Sequence, residues 1–98
     1  MSFRVRIPEP TRRKIAAWDL PDFLIVEIYT RLRERLADHP ARQLVRMREP
    51  FDGMVYGFSI VDPGNRLLEH TCFLHIMYSQ DEQSLEAVNF GYLRRIGV

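Results

Sequence analysis

The chain has one cysteine, a net charge of only +1, a single lysine among its 14 basic residues, and no apolar run of bilayer-spanning length. Each scarcity excludes something. A lone Cys72 rules out an intramolecular disulfide and any zinc site built on cysteines. A membrane helix needs roughly 18 to 20 consecutive apolar residues, so none is expected. There is no glycine-rich phosphate loop. His39, His70 and His75 have no carboxylate or cysteine at ligand spacing except Glu69, which adjoins His70 and is badly placed to share a site with it. His70 and His75 are five apart and face opposite sides of a strand, so neither a cofactor nor a metal is expected. The opening residues MSFRVRIPEP carry neither an apolar signal core nor an amphipathic transit pattern, which predicts a cytoplasmic protein.

What is present fits one ordinary globular domain over residues 1–98: 46% hydrophobic and 28% charged residues in a chain too short for two independent cores. The basic set is 13 arginines and Lys14. Arginine is a planar, permanently charged fork suited to phosphates and carboxylates, so this bias serves RNA, a protein partner, or nothing beyond GC-rich coding. Cys72 lies in the apolar stretch 71–78 and reads as a buried structural thiol.

Phe3, Val5 and Ile7 alternate with Arg4 and Arg6, the period-two pattern of a short half-buried strand that Pro8 and Pro10 end. Pro10 starts a short helix through Trp18, whose early cations oppose the helix dipole and are read as held for a partner. After the Asp19–Asp22 break a second helix is expected over about 21–38. Leu24, Ile25, Ile28, Leu32 and Leu36 form its apolar stripe, with Glu27 and Arg31 as an i,i+4 pair on the wet face. Arg31, Arg33 and Arg35 are assigned to that solvated surface, and His39-Pro40 stops the helix. Residues 44–48 read as a short strand or extended loop, and 54–61 as a clear strand. A turn at Asp62-Pro63-Gly64-Asn65 follows, then strands over 70–79 and 84–93 joined by the polar loop 79–83. The expected fold class is α+β: an N-terminal strand, a helical hairpin, then a three-stranded antiparallel meander with the helices on one face.

The opening strand FRVRI, the helix end RLRERLADHP, the acidic hairpin SQDE and the closing strand GYLRR together resemble the RelE/ParE superfamily of small toxins from bacterial type II toxin–antitoxin operons. The resemblance covers nearly the whole chain. It implies a toxin with a cognate antitoxin as partner. RelE-like members are ribosome-dependent mRNA endonucleases, whereas ParE-like members share the fold, inhibit DNA gyrase and lack the nuclease residues. The first alternative is thus a metal-independent endoribonuclease acting on mRNA at the ribosome, and the second a non-catalytic protein binder, with gyrase as one target.

Cleaving RNA through its 2′-hydroxyl requires a proton acceptor, a cation for the pentavalent phosphate and a proton donor for the leaving oxygen. The candidates are Arg46, Arg48 and Glu49 before the sheet, His75 on its open face, and Tyr92, Arg94 and Arg95 at the end of the last strand. Tyr92 would stack a base, and the arginines would contact phosphate. The chain departs from the nuclease pattern at Phe73, where such members carry a strand arginine. For the binding alternative, Val55, Phe73, Met77 and Leu93 supply an apolar docking patch. Apolar residues on both sheet faces, with only two helices to cover them, predict a protein partner on the uncovered face.

Overall fold

The computed structural model describes residues 4–36, 44–46, 54–78 and 84–97. β1 (Arg4–Arg6) leads into α1 (Glu9–Ala17), which begins at two prolines whose fixed backbone angle suits a first helical turn. α1 ends at Asp19, which takes the left-handed conformation (φ 51°) that closes many helices and that aspartate tolerates better than most residues. α2 (Asp22–Thr30) follows, and its last turns, Arg31–Leu36, wind more widely as a π-helix. This winding has a packing consequence. Leu24, Ile28, Leu32 and Leu36 are four apart and all fully buried. In an α-helix each step of four drifts by about 40°, and the wider turns take that drift back.

The sheet has the order β1-β5-β4-β3-β2, with β2 (Val45–Arg46), β3 (Met54–Asp62), β4 (Asn65–Tyr78) and β5 (Ser84–Ile96). β3, β4 and β5 form the expected antiparallel meander, and β1 joins the far edge parallel to β5. The strands outrun their sequence-based limits. β4 begins at Asn65, directly after a turn in which the Asp62 carboxylate accepts from the Gly64 N–H at 2.9 Å. β5 runs to Ile96, so Arg94 and Arg95 are paired strand residues opposite His70 and Glu69, not a tail.

The period-two pattern sorts the two faces. Tyr56, Phe58, Cys72, Leu74, Ile76 and Phe90 face the helices and are buried, while Gly57, Ser59, Phe73, His75 and Met77 face the other way. Between helices and sheet, the buried Thr11 hydroxyl donates to the Ala87 carbonyl at 2.7 Å. Arg31 corrects the wet-face expectation. Its guanidinium sits 4.5 Å over the Phe58 ring while its Nε donates to Glu27 at 2.6 Å, with only 18% of the side chain exposed. Arg33 and Arg35 are exposed as expected. The α1 cations are also engaged by the fold: Arg12 Nε donates to the Ile7 carbonyl at 2.8 Å, Lys14 Nζ to Asn89 Oδ1 at 2.7 Å, and Arg13 pairs with Glu9. His39, the end of the second helix and the loop 79–83 lie outside the described residues.

Candidate functional site

Where the α1–α2 turn crosses the end of the meander, a cleft of about 320 Å³ opens between Trp18, Asp19, Leu20 and Pro21 on one side and Asp62, Leu68, His70, Tyr92, Leu93 and Arg94 on the other. Strand register builds it. Ile60 faces His70, and Asp62 is two residues further along the same face. His70 faces Arg94, and Tyr92 is two residues back on that face. Asp62 and Tyr92 are therefore diagonal neighbours of His70 on its two flanking strands, within reach of a long side chain.

His70 is buried to 1% exposure and is fully engaged. Its Nε2 lies 2.8 Å from Asp62 Oδ1 and its Nδ1 lies 2.6 Å from the Tyr92 hydroxyl. The Phe23 ring meets the imidazole edge-on at 5.5 Å, and Trp18 meets Tyr92 the same way at 5.6 Å. The His70 hydrogen bond, helped by the Gly64 and Asn65 backbone, holds the Asp62 carboxyl below the ordinary carboxylate range. Burial pushes the Tyr92 phenol up, partly offset by the nearby Arg94 charge. Beneath them, burial raises the Cys72 thiol to about 11, which leaves it protonated and unreactive at neutral pH.

This arrangement is an ionised carboxylate, an imidazole and a phenol in line, with the phenol and an arginine at the mouth of an open cleft. It can move a proton to or from a bound group and can neutralise an anion beside it. Metal binding is a poor fit, because both His70 nitrogens are occupied and no group of three or more potential ligands converges among the described residues.

The candidate residues from the sequence divide between places. Tyr92 and Arg94 line the cleft together. His75 is half-buried on the opposite face, across from Val55 and Asn89, and Arg95 is on that opposite face beside Glu69. Arg46 belongs to β2 at the far edge of the sheet, opposite Met54. Arg48 and Glu49 lie outside the described residues. The structure thus brings together two of the seven and adds Asp62, together with His70, which in the sequence, next to Glu69 and opposite a turn, is a weaker candidate than the seven. The signal was a faint one: an aspartate opening a tight turn and a histidine eight residues on, in the strand that returns from it.

No family model and no curated protein sequence matches the chain. Among solved structures it is similar to a chain of the toxin–antitoxin complex RelBE2 from Mycobacterium tuberculosis, with a TM-score of 0.64 over 95% of this chain and 100% of that one, at 14% identity. The likeness is one of fold: this chain shares the architecture of that chain of the complex.

Proposed function

We propose that the chain is the toxin of a type II toxin–antitoxin pair and that it cleaves mRNA on the ribosome in the bacterial cytoplasm. The observation that carries the cleavage reading is the placement of Tyr92 and Arg94 on one strand face at the mouth of one cleft, with His70 behind them. Arg94 neutralises the phosphate as the 2′-oxygen attacks, and Tyr92 exchanges the proton. The products are a 2′,3′-cyclic phosphate and a 5′-hydroxyl. Trp18, half-exposed beside Tyr92, offers an aromatic edge against which an unstacked base packs. The fold likeness to a chain of a toxin–antitoxin complex supports an antitoxin as the protein partner. Its seat in this reading is the open face, where Phe73, Met77 and Leu93 are exposed.

A second reading is favoured by that same face. Phe73 stands between Gly57 and Gly91 on the flanking strands, where nuclease members of the superfamily carry an arginine, and its half-exposed ring lies across Gly57, an apolar surface suited to a protein partner. In that reading the chain is a non-catalytic binder of a protein such as gyrase. Inducing the chain in a bacterial host, alone and with a neighbouring antitoxin frame, separates the two. Growth arrest with codon-phased mRNA ends supports the endonuclease, and arrest with intact mRNA and blocked supercoiling supports the binder. No arrest overturns the toxin assignment.

A further inference from the structure

The Asp62–His70–Tyr92 chain has a direction. Asp62 is ionised at neutral pH, since its carboxyl lies below the ordinary range and its other oxygen accepts from the Gly64 N–H. A carboxylate only accepts, so the His70 nitrogen facing it, Nε2, carries the proton. In the neutral ring Nδ1 is then a bare lone pair, and the Tyr92 hydroxyl 2.6 Å away has to donate to it. The phenolic proton therefore points into the protein, and the oxygen's other lone pair points to the cleft.

We infer that Asp62 and His70 are positioning residues: they turn the Tyr92 hydroxyl so that its oxygen faces the cleft as the proton acceptor for the 2′-hydroxyl in the cleavage proposed above. This rests on the endonuclease reading above. The 2′-O–H bond breaks and its proton goes to Tyr92 Oη, while the phenol's own proton passes to His70 Nδ1. The imidazolium so formed lies between phenol and carboxylate. The 2′-oxygen bonds to phosphorus, the bond from phosphorus to the 5′-oxygen breaks, and that oxygen takes a proton from water. The hydroxide left behind recovers the proton through Tyr92, which restores the starting state. If His70 instead begins with two protons, Nδ1–H donates to Tyr92 and the hydroxyl turns outward as a donor. Protonation of His70 therefore reverses the role of Tyr92.

The titratable or charged groups facing this ring among the described residues are Asp62 from β3, Cys72 from its own strand, Tyr92 and Arg94 from β5, and Asp19 from the turn that lines the same cleft; from α2 the Phe23 ring packs against it. Only Asp62 among them is hydrogen-bonded to the ring as an anion, so it sets the tautomer.

Two measurements on the full chain test this. A two-bond proton–nitrogen spectrum of histidine-labelled protein at pH 7 should show His70 as the Nε2–H tautomer, and the Nδ1–H tautomer overturns the inference whatever the chain cleaves. In a bacterial translation extract, Tyr92→Phe should slow mRNA cleavage by about a hundredfold or more. Asp62→Asn, which keeps an acceptor for Nε2–H but loses the charge, should slow it by about tenfold and lose the single Nε2–H tautomer in the same spectrum. Wild-type rate and spectrum in a folded Asp62→Asn protein, or wild-type rate in Tyr92→Phe should Asp62→Asn not fold, overturn the relay. Absence of cleavage by the wild-type chain overturns the endonuclease reading and the relay's catalytic task together, and the spectrum then reports the hydrogen-bond direction alone.

Discussion

The Tyr92 hydroxyl lies 2.6 Å from Nδ1 of His70, although 22 positions separate the two residues in the chain. With the Asp62 contact on the other nitrogen, this ties β3, β4 and β5 together at the end of the sheet, beneath the α1–α2 turn and Phe23 of α2. The tie is structural as well as chemical. Removing the imidazole in His70→Ala leaves a hole in the core and two partners without their hydrogen bonds, and should lower the unfolding free energy by about 3 kcal/mol. Tyr92→Phe removes a single hydroxyl and should lower it by about 1 kcal/mol. Urea denaturation of the two variants checks the ratio.

Arg94 and Arg95 are adjacent in sequence and opposed in space, since successive strand residues point to opposite faces. Arg94→Ala should therefore abolish growth arrest when the chain is induced, while Arg95→Ala should leave arrest intact. Equal effects of the two substitutions would remove the cleft as the site of action.

The open face predicts a separation of toxicity from neutralisation. Phe73→Glu and Met77→Glu place carboxylates where an apolar partner would seat, on side chains already exposed in the free chain and outside the cleft lining. Co-expressed antitoxin should fail to rescue growth, with the melting temperature of the isolated variant unchanged. If the chain instead binds its target through this face, both toxicity and neutralisation should be lost.

Stability should decline at both ends of the pH scale. The Cys72 thiol sits at about 11 in the fold against an ordinary 9.0, so over that interval the folded chain keeps a proton that the unfolded chain releases, and stability falls as pH rises. The raised Tyr92 phenol acts in the same sense. Asp62 acts oppositely: with its folded value below 3.8, its contribution is present above that pH and lost as pH falls through the folded value. Denaturation midpoints from pH 3 to 11 check both arms, and Cys72→Ala should flatten the alkaline one. Native Cys72 should also resist alkylation at pH 8 until the chain unfolds.

Arg31 carries a prediction of the opposite kind to an exposed ion pair. Its charge is sandwiched between Glu27 and the Phe58 ring with little water, so Arg31→Ala should cost about 2 kcal/mol, roughly 10 °C in Tm. For the exposed Arg13–Glu9 pair, Arg13→Ala should cost well under 1 kcal/mol. Thermal melts of the two variants make the comparison.

The sequence by itself determined the elements and their faces. Period-two alternation placed Cys72, Leu74, Ile76 and Tyr78 on the core face and left Phe73, His75 and Met77 outside, which holds except for Tyr78, exposed at the strand end, and four-residue steps marked the buried stripe of α2, because burial of apolar area is the largest local signal a chain carries. It also separated His70 from His75, since five residues along a strand reverse the face. Register lay beyond it. Which residue of β5 stands opposite His70 depends on the bulge between His75 and Ile76 and on the turn after Asp62, neither of which periodicity encodes. Without that register, Asp62, His70 and Tyr92 are three unrelated polar residues, Arg94 and Arg95 are one basic cluster, and Arg31 belongs to a wet helix face. Tertiary structure decided each of these, because diagonal strand neighbours and the helix seated above them are brought together by long-range pairing of the whole sheet.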